Sequence, residues 1–270
     1  MPCLVEPIYD SEAIEKSFMR VLYDSRTLVL GSPYVMANPA HAAPASHCQF
    51  EYDDEKTDVI NAYGGLRVDE KTHKYYPTIR FTRGIMCWLR VSALFASVLF
   101  MGGNTGKAKK MLRFQSAHVD SILNSPGDVM NEMMAQFNLP TDGYFLDLSR
   151  RMFQMMVTCV LAHEAGHVCL WHSLRGQGAD PGATNRNDER SADIFACSVL
   201  QSLGTGELGA VAFVCQMASL MFTSKKRENY DGMDSHPGTV ERIRNIYTSF
   251  ANVMKYSKVK WSDIEKIICR

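Results

Sequence analysis

The chain has 270 residues, 46% hydrophobic and 21% charged, with 29 acidic against 29 basic side chains and no formal net charge. That length supports a substantial core, and that composition excludes a chain too polar to fold. Balanced charge excludes a general nucleic-acid footprint, so nucleic acid is not an expected partner.

From the N-terminus, Ser11 to Tyr23 predicts an amphipathic helix with Ala13, Ile14, Phe18, Val21 and Leu22 on one side. Gly31 to Ser46, rich in Pro, Ala and Ser without clear periodicity, reads as a loop or extended covering segment. Thr57 to Tyr63 and Thr78 to Thr82 read as strands around a turn-prone Gly64 to Lys74 stretch. Ile85 to Met101 is the most apolar run, but Arg90 interrupts it. Its uncharged remainder falls short of the roughly 20 residues a bilayer span needs, so a buried helix is expected and no membrane span. Further helices are expected from about Gly103 to Leu123, Val129 to Phe137 and Phe145 to His172. A glycine-rich loop, Ser173 to Arg186, follows and could gate a site. Ser191 to Leu203, Glu207 to Phe222, Val240 to Phe250 and Trp261 to Ile268 complete the helices. Cys159, Cys169, Cys197 and Cys215 fall in these apolar segments as buried thiols, and no C-x-x-C pair suggests a zinc knuckle. The first residues lack the basic lead and apolar run of a secretory signal. A cytoplasmic setting follows, including a host cytosol if the protein is delivered there.

The chemistry concentrates in Leu161-Ala-His-Glu-Ala-Gly-His-Val-Cys-Leu-Trp-His172. His163 and His167, four apart on a helix, project from one face and can hold a single zinc ion. Glu164 beside them is a carboxylate suited to deprotonate water. A catalytic zinc needs a third protein ligand and an open fourth position. Glu189 is the candidate, with Asp193 four residues on to accept a hydrogen bond from the far nitrogen of a ligating histidine. Downstream, His236 before a proline and Arg242 could place donors where an oxyanion develops.

These motifs, H-E-x-x-H, E-x-x-A-D and H-P-x-x-x-x-R-I in that order, resemble the gluzincin metallopeptidases that include HtpX and the CAAX prenyl endopeptidase. The resemblance runs from about Asp58 to Ile246, and its membrane members carry transmembrane helices that this chain lacks. It implies His163, His167 and Glu189 as zinc ligands, Glu164 as general base, and Asp193 behind a ligand. His236 and Arg242 are implied near the oxyanion or as organisers of the site. Asn61-Ala62-Tyr63 and Thr82-Arg83-Gly84 look like the family's segments just before the active-site helix, with a hairpin-like insertion between. An edge strand there would bind an extended peptide or protein substrate. Soluble regulator-cleaving peptidases of the ImmA type are a second cousin, often with a histidine where His172 stands. We read His172 as a helix-end, supporting or surface residue and not as a ligand.

The expected fold is α+β and mainly helical: a zincin-like domain with a small sheet or hairpin beside the active-site helix. Residues 1–56 would form an N-terminal helix and covering segment and 57–270 the metallopeptidase domain, folded together as one compact unit. The expected function is zinc-dependent endopeptidase, one zinc per chain. The rivals are a narrow-specificity regulatory protease and a zinc-holding binding protein with little turnover. Nothing in the sequence indicates an oligomeric state.

Overall fold

The computed structural model describes residues 9–55, 59–69, 71, 73–102, 104–172, 181–224 and 240–268, with backbone alone for 181–185 and 223–224. Its architecture is α+β and mainly helical, with a three-stranded sheet against the helices.

A single long helix organises the packing. Helix α8 (Gly143–Cys169) starts where the Asp142 side chain accepts from the Phe145 N–H at 2.8 Å. It is buried on several sides, and its apolar residues follow no single stripe because it has neighbours all round. Helix α1 (Ser11–Leu30), α4 (Arg83–Phe100), α9 (Pro181–Ser202) and α10 (Gly206–Ser224) pack around it. Helix α4 is long and apolar enough to cross a membrane by length and composition, yet nearly all of it is buried within the protein. The cysteines Cys48, Cys87, Cys159, Cys169, Cys197 and Cys215 are all buried free thiols.

Strands β1 (Gln49–Asp53), β2 (Ala62–Val68) and β3 (Tyr75–Thr82) form a sheet of order β1-β3-β2. Strand β1 runs parallel to β3, and β2 runs antiparallel to it. The segments around Asn61 and Thr82 join directly: Thr82 N–H donates to the Asn61 carbonyl at 3.2 Å. The Thr82 hydroxyl also caps α4 by accepting from Ile85 N–H. Residues 9–53 share this core, since Phe18 and Leu22 are fully buried and β1 is part of the sheet.

Several boundaries differ from expectation. The expected 31–46 loop is two short helices, α2 (Pro33–Met36) and α3 (Pro39–Ser46), capped by the Ser32 and Asn38 side chains. Pro33 and Pro39 sit at the first helical position, where a missing N–H costs nothing, while Pro44 lies inside α3. Strand β2 runs through Gly64 and Gly65, read above as turn, because Gly64 allows a close backbone contact described below. Strand β1 had no periodic signal, and its pairing is with a segment 29 positions away. The expected helix to Leu123 breaks at His118 into α5 (Thr105–Ala117) and α6 (Val119–Asn124). Helix α7 (Pro126–Gln136) follows. Part of the expected 173–186 loop is helical, since α9 opens at Pro181; residues 173–180 lie outside the described residues. Helices α11 (Val240–Ser249), α12 (Ala251–Met254) and α13 (Trp261–Ile268) close the chain.

Candidate metal centre

The last turns of α8 present His163 and His167 on the side that faces α9. The two helices meet where α8 has Gly166: a Cβ there would lie 2.9 Å from Ala192 Cα and 3.2 Å from Phe195 Cβ. Any larger residue would force the backbones apart. That approach carries Glu189 and Asp193, one helical turn apart on α9, onto the two imidazoles.

Donor atoms of three residues converge. His163 Nε2 and His167 Nε2 are 3.1 Å apart; Glu189 Oε2 lies 3.3 Å from the first and Glu189 Oε1 3.3 Å from the second. Ligands about 2.05 Å from a tetrahedral zinc stand roughly 3.3 Å from one another, so this triangle of two nitrogens and a carboxylate has the ligand spacing of such a site. All three residues are buried. The donor set, two imidazole nitrogens and one carboxylate oxygen, is chemically right for zinc.

The surrounding charges support the same fit. The carboxyls of Glu164, Glu189 and Asp193 are buried near the guanidinium of Arg242, so acidic side chains outnumber arginines and lysines here among the described residues. Burial disfavours charge on His163, yet the Asp193 and Glu189 carboxylates outweigh it and raise its pKa to about 10. Asp193 Oδ1 lies 3.0 Å from His163 Nδ1, the ring nitrogen turned away from the triangle. Arg242 grips Asp193 with two bonds of 2.8 Å, from Nε and Nη2, and its Nη1 lies 3.1 Å from Glu189. Burial would raise the Asp193 pKa, but Arg242 and then His163 hold it below the usual carboxylate range. Glu164 is 3% exposed, and its Oε2 is buried with no hydrogen-bond partner among the described residues. A buried carboxyl oxygen left that way is costly unless a ligand serves it.

Strand β2 completes the surroundings. A Cβ on Gly64 would lie 2.2 Å from the Glu164 carbonyl oxygen, so β2 lies directly on α8 at this residue. β2 is also an outer strand of the sheet. On the sheet face a hollow of about 490 Å³ is lined by Tyr63, Gly65, Arg67, Thr78 and Arg80 among others. Glu51 pairs with both arginines.

Of the residues singled out from sequence, His163, Glu164, His167, Glu189, Asp193 and Arg242 come together here; His236 lies outside the described residues. Sequence reasoning left His172 undecided and did not consider Asp188. His172 is buried at 8% exposure, with its Nδ1 2.8 Å from His167 Nδ1, so it is no surface residue. No periodicity could have shown this, because the contact depends on how the chain turns after α8 ends.

Fold and site together describe a helical α+β protein with a buried two-imidazole, one-carboxylate cluster beside a sheet edge. Residues 136–261 match the Peptidase U49 family, a span that holds every candidate site residue described above. No curated protein and no solved structure matches the chain. The family match supports a peptidase.

Proposed function

We propose that this chain is a zinc-dependent endopeptidase of zincin-like, gluzincin character. The observation that carries the reading is the convergence of His163, His167 and Glu189, whose two Nε2 atoms stand 3.1 Å apart and each 3.3 Å from one oxygen of the same carboxylate. These three residues would hold the ion. When bound, zinc supplies a Lewis acid for the peptide carbonyl and lowers the pKa of water toward about 7.

The remaining work falls to the protein's own groups. Glu164 takes the proton of the attacking water on its carboxylate and returns it to the leaving amine nitrogen. Asp193 accepts from the Nδ1–H of His163, which keeps Nε2 as the ligating atom. Arg242 holds Asp193 and Glu189 in register. Its fork is committed to these carboxylates, which favours an organising role over donation to an oxyanion. His236 remains the proposed oxyanion donor. The substrate is a peptide or protein in extended form, paired along β2, whose Gly64 brings that strand onto the helix beside Glu164. The six buried free thiols favour a reducing, cytoplasmic setting.

Elemental analysis of purified wild type, Glu189→Ala and Glu164→Gln tests this reading. Wild type and Glu164→Gln should carry about one zinc per chain, as a single three-residue site requires, and Glu189→Ala should lose it. Against a peptide library read by mass spectrometry, Glu164→Gln should cleave slower by about 10²- to 10⁴-fold. A folded wild type that takes up no zinc on reconstitution overturns the proposal.

A further inference from the structure

We infer that His172 and Asp188 form a support behind His167 that sets the orientation of that ring at the metal centre. This rests on the metal-site reading above.

The two nitrogens of His167 face opposite partners. Nε2 belongs to the ligand triangle, 3.1 Å from His163 Nε2 and 3.3 Å from Glu189 Oε1. Nδ1 lies 2.8 Å from His172 Nδ1, with the rings edge-on at 76°. A ligating nitrogen must offer its lone pair, so the His167 proton sits on Nδ1 and is donated to His172 Nδ1. His172 then carries its own proton on Nε2, which lies 3.7 Å from Asp188 Oδ1. That separation is longer than a direct hydrogen bond but within electrostatic reach of the carboxylate. One tautomer follows for each ring. The same geometry removes His172 from the ligand set, since it meets His167 on the face away from the triangle.

The backbone is bent to make this contact. Had α8 continued, residue 172 would point about 140° away from residue 167, five positions at about 100° each. Instead the helix ends at Cys169, and Trp171 adopts φ 56°, the left-handed region that a bulky aromatic rarely enters. This turn brings His172 back under His167, where it is buried. Such strain persists only where the surroundings enforce it. On the opposite side, Asp188 immediately precedes the ligand Glu189 on α9, so a single helix turn supplies both a ligand and a support. The two histidine ligands thus end on carboxylates by different routes: His163 on Asp193 directly, His167 on Asp188 through a second imidazole.

His172 is therefore a positioning residue, and its test reads the metal itself. Zinc affinity by chelator competition and the visible spectrum of the cobalt(II)-substituted protein would be compared for wild type, His172→Phe, His172→Asn and Asp188→Asn. Metal-free unfolding temperatures would be taken alongside. His172→Phe removes the acceptor and should weaken zinc about 10- to 100-fold, the range expected for loss of such a partner, and shift the cobalt bands. His172→Asn places an amide oxygen near the position of Nδ1 and should restore most of the affinity. Asp188→Asn should fall between wild type and His172→Phe. A folded His172→Phe with wild-type affinity and spectrum overturns this inference while leaving the metal-site reading intact. A folded wild type that binds neither ion overturns both. If His172→Phe does not fold, Asp188→Asn decides: an altered cobalt spectrum supports the inference, and an unchanged one overturns it.

Discussion

Two clusters of buried charge lie along α8, and they are built on opposite principles. Near its middle, Arg90 reaches from α4 and is 5% exposed, with Nη1 donating to the Ser149 hydroxyl at 2.9 Å. Its guanidinium lies over the rings of Tyr9 and Phe153, at 5.2 and 5.6 Å from their centres, and no carboxylate pairs with it among the described residues. Burial lowers its pKa to about 10. Near the C-terminal end, burial would likewise lower the Arg242 pKa, but Asp193 and then Glu189 raise it instead. The first cluster satisfies a cation with π-faces and a hydroxyl, and every partner is turned inward on it. The second brings lone pairs of three residues to a common point and leaves a buried Glu164 oxygen without a partner among the described residues. Burial of charge alone therefore does not single out the candidate site; convergence of two imidazoles and a carboxylate does.

Three substitutions would break or sharpen that contrast. The largest effect is expected from Asp193→Ala, which removes the carboxylate that Arg242 grips with two bonds and leaves that guanidinium buried without it. Removing one member of such a buried pair costs on the order of 3–5 kcal/mol. Chemical denaturation should show that loss, together with weakened zinc binding. A stability change under about 1 kcal/mol would mean that solvent reaches the cluster, as for exposed pairs.

Gly166→Ala comes next. The added methyl meets Ala192 backbone at 2.9 Å, so α8 and α9 must separate. A loss of about 1–3 kcal/mol is expected from overpacking, and zinc affinity should fall with it because the ligands are divided between these helices. Stability lost with zinc affinity unchanged would show that the helix approach does not position Glu189.

Arg90→Met should have the smallest effect. The variant keeps an unbranched apolar side chain and orphans no carboxylate, so a change within about 1–2 kcal/mol is expected, with zinc content unaltered. Should Arg90→Met match Asp193→Ala in cost, the proposed difference between the clusters would fail.

Much of the site was legible in one dimension because helical periodicity is local. Four-residue spacing is enough to put His163 with His167, and Glu189 with Asp193, each pair on one face of its helix. The apolar 85–101 run announces the helix α4, but only the packing shows it to be buried, since its length and composition would also suit a membrane span. What the pattern could not supply was anything that depends on contact between distant segments. Prolines at 33 and 39 look like breakers until seen as first helical residues after side-chain caps. Gly64 and Gly65 look like a turn until β2 is seen resting on the carbonyl of Glu164.

By itself, then, the sequence determined the donor types, their pairing on two helices, and the Glu164 carboxyl beside them, since those follow from covalent spacing and a 100° helical step. The tertiary structure decided that the two pairs meet, that Arg242 spends its charge on Asp193 and Glu189, and that His172 serves His167 from behind. Each of these rests on a close approach between separate elements, at Gly166 or through the left-handed turn at Trp171. Such approaches are set by the packing of the whole core, which no local pattern encodes.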